Sequence, residues 1–215
     1  MLKIVIFDSG YGGELLADYL ENELPIMDMI RVIDWTHVSQ IRHSARSARR
    51  AAEQALRPYI NRTSLIIFAD YLLTATSLKY FRRKYPHQNF IGLELHHPCN
   101  FKHQTHIFTT KALARTASYK KFTRQIKGKT VILDDWPLLI DDGELGQGKI
   151  RRDLAKALKE DKPTQIILAC SQFVELEDEL RHIFGHNLKI INNFDETLRE
   201  TCRVLRIRGG LVRQK

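Results

Sequence analysis

Short apolar, β-branched runs alternate with amphipathic stretches along almost the whole chain, and this alternation constrains the fold more than any other feature. The runs fall at residues 2–7, 29–34, 64–69, 89–94, 106–110, 129–135, 165–170 and 188–193. Each is near the usual length of a β-strand. Helices are predicted between them, near 14–23, 44–60, 74–84, 112–126, 148–160, 174–184 and 195–205. Ile66-Ile67-Phe68 and Ile166-Ile167-Leu168 are apolar on both faces, as parallel strands are when helices cover both sides of a sheet. The expectation is an α/β fold with parallel sheets flanked by helices. Phe68-Ala69-Asp70 and Leu168-Ala169-Cys170 echo one another, each a strand end followed at once by a helix. The echo suggests two similar lobes, drawn here as residues 1–94 plus 188–215 and residues 95–187.

The 215 residues are 43% apolar and 27% charged, a profile that argues against disorder. No apolar run approaches the ~20 residues that span a bilayer. The opening Met1 to Asp8 is too short, and ends too soon in an acid, for a signal peptide. Cys99, Cys170 and Cys202 suit a reducing compartment rather than a disulfide framework. A cytoplasmic protein with no membrane partner is expected. The net charge is +9, with basic stretches at Arg42 to Arg50, at Arg82-Arg83-Lys84 and in the tail from Arg203 to Lys215. Such stretches attract phosphate, but they also form ordinary solvated helix faces. No aromatic-interleaved motif or zinc-finger spacing accompanies them. Solvated faces are therefore expected, and nucleic acid is left out of the expected partners.

Open parallel sheets bind ligands beyond the carboxyl ends of their strands. Those ends read Asp8-Ser9, Asp34, Asp70, Thr109-Thr110, Asp134-Asp135 and Cys170-Ser171, rich in groups that take or give a proton. Phe7-Asp8-Ser9-Gly10-Tyr11-Gly12-Gly13 runs from a strand through a glycine turn into a helix. Glycines allow close backbone approach, and the helix start favours a carboxylate or phosphate. A dinucleotide fingerprint would need a glycine at Leu15, although Asp34 could supply its acid. A phosphatase with paired aspartates is excluded by Gly10. A tight turn with no ligand remains the alternative. Cys170 stands at a strand end just before a helix, where a thiolate is favoured; a buried core cysteine is the alternative.

Together these motifs resemble the aspartate/glutamate racemase superfamily, closest in layout to glutamate racemase. Phe7 to Gly13 is similar to its F-D-S-G-x-G-G, and Val32-Ile33-Asp34 to its acid-ending strand. Phe90 to Glu94, Thr109 to Tyr119, Trp136 to Ile140, and Ala169 to Val174 resemble later family segments, in the right order over about residues 2–205. The resemblance implies cofactor-independent proton transfer at an α-carbon, with no metal and no pyridoxal, on a small acidic amino acid or related carboxylate. In the family one cysteine from each lobe serves as acid or base. The second carries over to Cys170; the first falls on Asp70 within Ala69-Asp70-Tyr71-Leu72. The family's P-Y-G falls on Ser39-Gln40-Ile41, and the histidine that assists the second cysteine becomes Gln172. The resemblance thus nominates Cys170, Asp70 and Asp8 for catalysis. It nominates Ser9, Ser171, Gln172, Tyr71, Ser39, Gln40 and Thr109 for substrate contact.

Two readings follow. In one, Asp70 as carboxylate and Cys170 as thiol form an unequal pair facing each other across a crevice. In the other, catalysis is lost and the protein binds a small anion as a regulator. Self-association into a homodimer is left open. His96, His97, Cys99, His103 and His106 crowd one stretch, but match no zinc signature and are expected to form a polar loop. Trp136-Pro137 is expected to anchor packing between lobes, and Ser118 and Tyr119 to pack or cap. Asp141, Asp142 and Glu144 form an acidic loop that either repels acidic ligands or is simply solvated.

Overall fold

The computed structural model describes residues 2–37, 43–95, 105–126, 128–158 and 161–207. The chain divides into two compact units, Met1–Glu94 with Asn193–Lys215, and Leu95–Asn192.

The first unit runs β1 (Lys3–Asp8), α1 (Gly12–Glu23), β2 (Asp28–Ile33), a 3-10 turn (Trp35–His37), α2 (Ala45–Leu56), β3 (Leu65–Phe68), α3 (Tyr71–Lys84) and β4 (Phe90–Gly92). Its sheet is parallel throughout, in the order β2-β1-β3-β4. Every residue of β3 is buried, as its unbroken apolar run requires, whereas β2 at the edge is half-buried. Val5, Phe7, Ile66 and Phe68 pack with Ala48, Ala52, Leu73 and Phe81 of α2 and α3. Their strand neighbours Ile4, Ile6 and Ile67 are equally buried and point to the opposite face.

The second unit runs β5 (Thr105–Thr109), α4 (Lys111–Ala114), α5 (Ala117–Ile126), β6 (Lys129–Ile132), α6 (Trp136–Asp141), α7 (Gln147–Leu158), β7 (Gln165–Ala169), a 3-10 turn (Ser171–Leu176), α8 (Glu177–Phe184) and β8 (Lys189–Ile191). This sheet too is parallel, in the order β6-β5-β7-β8. The chain then returns to the first unit as α9 (Phe194–Leu205). Two helix-flanked parallel sheets of four strands are the architecture that the alternating runs implied.

Several details differ from the sequence reading. Residues 188–192 lie with the second unit, because Lys189 to Ile191 pair with β7. The helix expected over 112–126 breaks in two at Thr116. Its hydroxyl donates to the Leu113 carbonyl at 2.8 Å and accepts the Tyr119 N–H at 3.2 Å, starting a new helix. α2 stops at Leu56: Arg57 keeps helical backbone angles, but Pro58 after it has no N–H to continue the helical hydrogen bonding. Helix α6 was not anticipated, although Pro137 at its first turn is a start signal. Trp136 is fully buried in the second unit's own core, stacked edge-on against Phe173 at 6.0 Å, with its indole N–H donating to Asp153 at 2.9 Å. Tyr119 packs as expected: it is 3% exposed, and its hydroxyl meets Thr130 at 2.9 Å.

His96, His97, Cys99 and His103 lie outside the described residues. His106 is buried, with Nε2 3.1 Å from Asp161. Among the described residues no group of His, Cys, Asp and Glu has the arrangement of a metal site, and no helix is long and apolar enough to cross a membrane.

Candidate functional site

In each unit the proton-active side chains collect at the carboxyl edge of the sheet, because the strands are parallel and all end on the same side. In the first unit β1 ends on Asp8, which is fully buried, followed by Ser9 at 7% exposure. The Asp8 carboxylate accepts the Ser9 N–H at 2.5 Å, and its carbonyl accepts the Asp34 N–H at 2.9 Å. Gly13 makes this possible. A Cβ there would stand 2.5 Å from the Asp8 Cβ and 2.7 Å from Ile33 Cδ1, so only glycine lets α1 start this close to the strand ends.

Asp34, just past β2, holds His37. The imidazole Nδ1 lies 2.7 and 2.9 Å from the two carboxylate oxygens. A carboxylate only accepts, so Nδ1 carries the proton and Nε2 is the nitrogen left for other partners. The sequence reading named Asp34 but missed His37. An Asp-x-x-His turn directly after a strand was the available signal.

Asp70 follows β3 and is half-buried. Its Oδ1 accepts the Leu73 N–H at 2.5 Å, so it caps α3. Tyr71, in the first turn of that helix, is 4% exposed and presents little surface to a ligand. Ser39 and Gln40 lie outside the described residues.

In the second unit Cys170 follows β7 and is half-buried. Its thiol donates to Gln172 Oε1 at 3.0 Å, and the buried Ser171 hydroxyl donates to the same oxygen at 3.3 Å. Gln172 Nε2 lies 3.5 Å from Asp141 Oδ1, at the outer limit of hydrogen bonding. Asp141 thereby orients the amide so that its oxygen faces sulfur. An oxygen acceptor there favours a protonated thiol; a thiolate would meet it lone pair to lone pair. Of the acidic residues 141, 142 and 144, which the sequence left as either ligand-repelling or solvated, Asp141 is therefore tied to the Cys170 cluster. Thr109 sits beside Ala169 in register, and its fully buried hydroxyl has no hydrogen-bond partner among the described residues.

No protein-family model matches the sequence. The chain is 24% identical to glutamate racemase of Deinococcus radiodurans over 99% of its own length and 77% of that protein. Glutamate racemase of Escherichia coli, solved with L-glutamate and an activator, superposes with a TM-score of 0.85 at 16% identity, covering 96% of this chain and 83% of that one. Allantoin racemase of Klebsiella pneumoniae superposes at 0.60 and 18% identity, covering all of this chain and 95% of that one. The chain therefore has the fold of the glutamate and allantoin racemases, and its sequence is similar to glutamate racemases over nearly its full length. Against the superfamily pattern described above, it keeps Asp8, Ser9 and Cys170 and departs at Asp70, Tyr71 and Gln172. Two of the departures have a local physical role here: Asp70 caps a helix, and Gln172 sets the hydrogen bonding of Cys170.

Proposed function

We propose that this protein transfers protons at the α-carbon of a small acidic amino acid or related carboxylate, without a cofactor, using Cys170 and Asp70. Inverting a carbon centre needs a base on one face and an acid on the other. Asp70 as carboxylate accepts the α-proton, and the Cys170 thiol donates one to the opposite face, leaving carboxylic acid and thiolate. The reverse reaction or exchange with solvent resets the pair. The observation that carries the reading is the Cys170–Gln172–Asp141 chain, which supports a sulfur held as proton donor at the carboxyl edge of a racemase-type sheet. Asp8 and Ser9, packed under the start of α1, and Ser171 and Thr109 beside Cys170, are the proposed carboxylate- and amine-contacting groups.

The test is hydrogen–deuterium exchange at the α-carbon of both enantiomers of aspartate and glutamate, followed by proton NMR in heavy water. Exchange that vanishes in Cys170→Ala and falls at least about 10²-fold in Asp70→Asn supports the reading. A second reading is favoured by the capping role of Asp70, which engages one carboxylate oxygen. In it the protein binds a small carboxylate without turning it over. Thermal stabilisation by an acidic amino acid that shows no exchange with any enantiomer would establish that reading and end the first.

A further inference from the structure

We infer that α2 and α3 form a docking face for the phosphate backbone of duplex nucleic acid, independently of any chemistry at the strand ends. Residues 43–87 hold nine Lys and Arg against two acids, Glu53 and Asp70, and so carry +7 of the chain's +9. In the sequence these cations lie in separate stretches. In the fold α2 and α3 pack side by side on one face of the first sheet. Arg49 crosses the seam to donate to the Thr76 carbonyl at 2.7 and 3.0 Å, and Lys84 crosses back to pair with Glu53. Tyr80 is held in the seam, with Arg49 and Lys84 at 5.2 and 5.5 Å from its ring.

The seam consumes Glu53, and Asp70 is taken up in capping α3, which leaves the outward ridges positive. Arg46, Arg50 and Arg57 recur at helical spacing opposite the buried Ala48, Ala52 and Leu56, and all three are exposed. Lys79 and Arg83 do the same on α3, opposite the buried Ser77, Leu78 and Phe81. None of these five makes an ion pair among the described residues. Elsewhere in the unit the half-buried Arg31 is neutralised by Glu14, Asp18 and Glu21. Five unpaired cations on two ridges roughly 8–10 Å apart make a flat array suited to successive phosphates. Four of the five are arginines, which bind phosphate with a two-pronged donor set.

The rest of the face selects the occupant. A protein interface would carry an apolar core, and a membrane-surface helix an apolar ridge. Single-strand binding uses exposed aromatic rings as stacking platforms. The exposed large apolar residues, Leu2, Tyr11, Ile26, Trp35, Ile132 and Leu138, all lie off α2 and α3. The face offers charge without stacking or apolar area, which is what reading a duplex backbone requires.

The test is fluorescence anisotropy of the full chain with a labelled duplex of arbitrary sequence, about 20 base pairs long, across a salt series. Binding is expected at low salt, with log K falling against log salt at a slope of about −4.5 for five phosphate contacts. Arg50→Glu/Arg83→Glu should weaken binding more than about tenfold and make the slope shallower by about two. Lys120→Glu/Arg124→Glu, which reverses two exposed cations on α5 in the other unit, should change it less than about threefold. All these positions are exposed, so unchanged far-UV circular dichroism and melting are expected throughout. The inference is overturned by no binding at low salt, by an equal loss in the α5 variant, by tighter binding of the matching single strand, or by binding to phosphatidylserine vesicles without binding to the duplex.

Discussion

Gln172 turns its side-chain oxygen to the sulfur of Cys170 at 3.0 Å, while its nitrogen faces Asp141 at 3.5 Å. An amide can rotate by half a turn at little intrinsic cost, so its orientation belongs to whichever neighbour pulls harder. Asp141 can only accept, and it therefore commits the N–H end to itself.

Removing that commitment should change the sulfur. In Asp141→Ala the amide is free to offer its N–H to Cys170, which stabilises the thiolate. Alkylation of Cys170 by iodoacetamide at neutral pH should speed up roughly fivefold, the equivalent of one hydrogen bond. Peptide mass spectrometry separates Cys170 from Cys99 and Cys202. An unchanged rate would show that Asp141 does not set the amide.

Asp70 has a structural role that can be separated from a chemical one. Asparagine caps helices about as well as aspartate, whereas alanine does not. Asp70→Asn should keep wild-type stability to urea within about 0.5 kcal/mol, and Asp70→Ala should lose about 1 kcal/mol. If α-proton exchange is present, both variants should lose it alike. Exchange retained in the asparagine variant would leave Asp70 as a cap only.

Gly13 tests the packing beneath Asp8. A Cβ at this position would meet the Cβ of Asp8 and the tip of Ile33 at 2.5 and 2.7 Å, and the first contact sits too close to the main chain to swing away. Gly13→Ala should destabilise the chain by about 1–3 kcal/mol in chemical denaturation, despite alanine's better helix propensity. A gain in stability would mean that α1 can shift outward without penalty.

Tyr119 predicts an alkaline effect. Burial pushes its phenol from 10 up to about 12, against the smaller opposing pull of its hydrogen bond with Thr130. The unfolded chain therefore loses this proton first. The group's stabilisation is complete below pH 10 and is lost as the pH rises towards 12, by no more than about 3 kcal/mol. Tyr119→Phe should show a shallower fall of stability over that window than wild type. A separate, pH-independent loss of about 1 kcal/mol reports the missing hydrogen bond. Identical slopes for the two proteins would contradict the burial account.

The eight strands were legible because each lies in a short apolar run, most plainly β1, β3 and β7, which are buried on both faces. The glycine turn after β1 was legible for the same local reason: Gly13 has no room for a side chain. The Thr116 break and the α6 helix were missed, although their signals were local as well, a hydroxyl that caps a new helix and a proline at a first turn. Such hydrogen bonds compete with helix continuation by small margins, which periodicity does not weigh.

By itself, then, the sequence determined the order of strands and helices, the parallel sheets that follow from it, and which residues stand at strand ends, because hydrophobic period and turn chemistry act over a few neighbours. Only the tertiary structure decided that Asp141, 31 positions before Gln172, orients the amide facing Cys170, and that Arg46 and Arg50 share a face with Lys79 and Arg83. Those arrangements depend on how separate helices and loops are packed, and the energy of each contact appears only when folding has brought both partners into place.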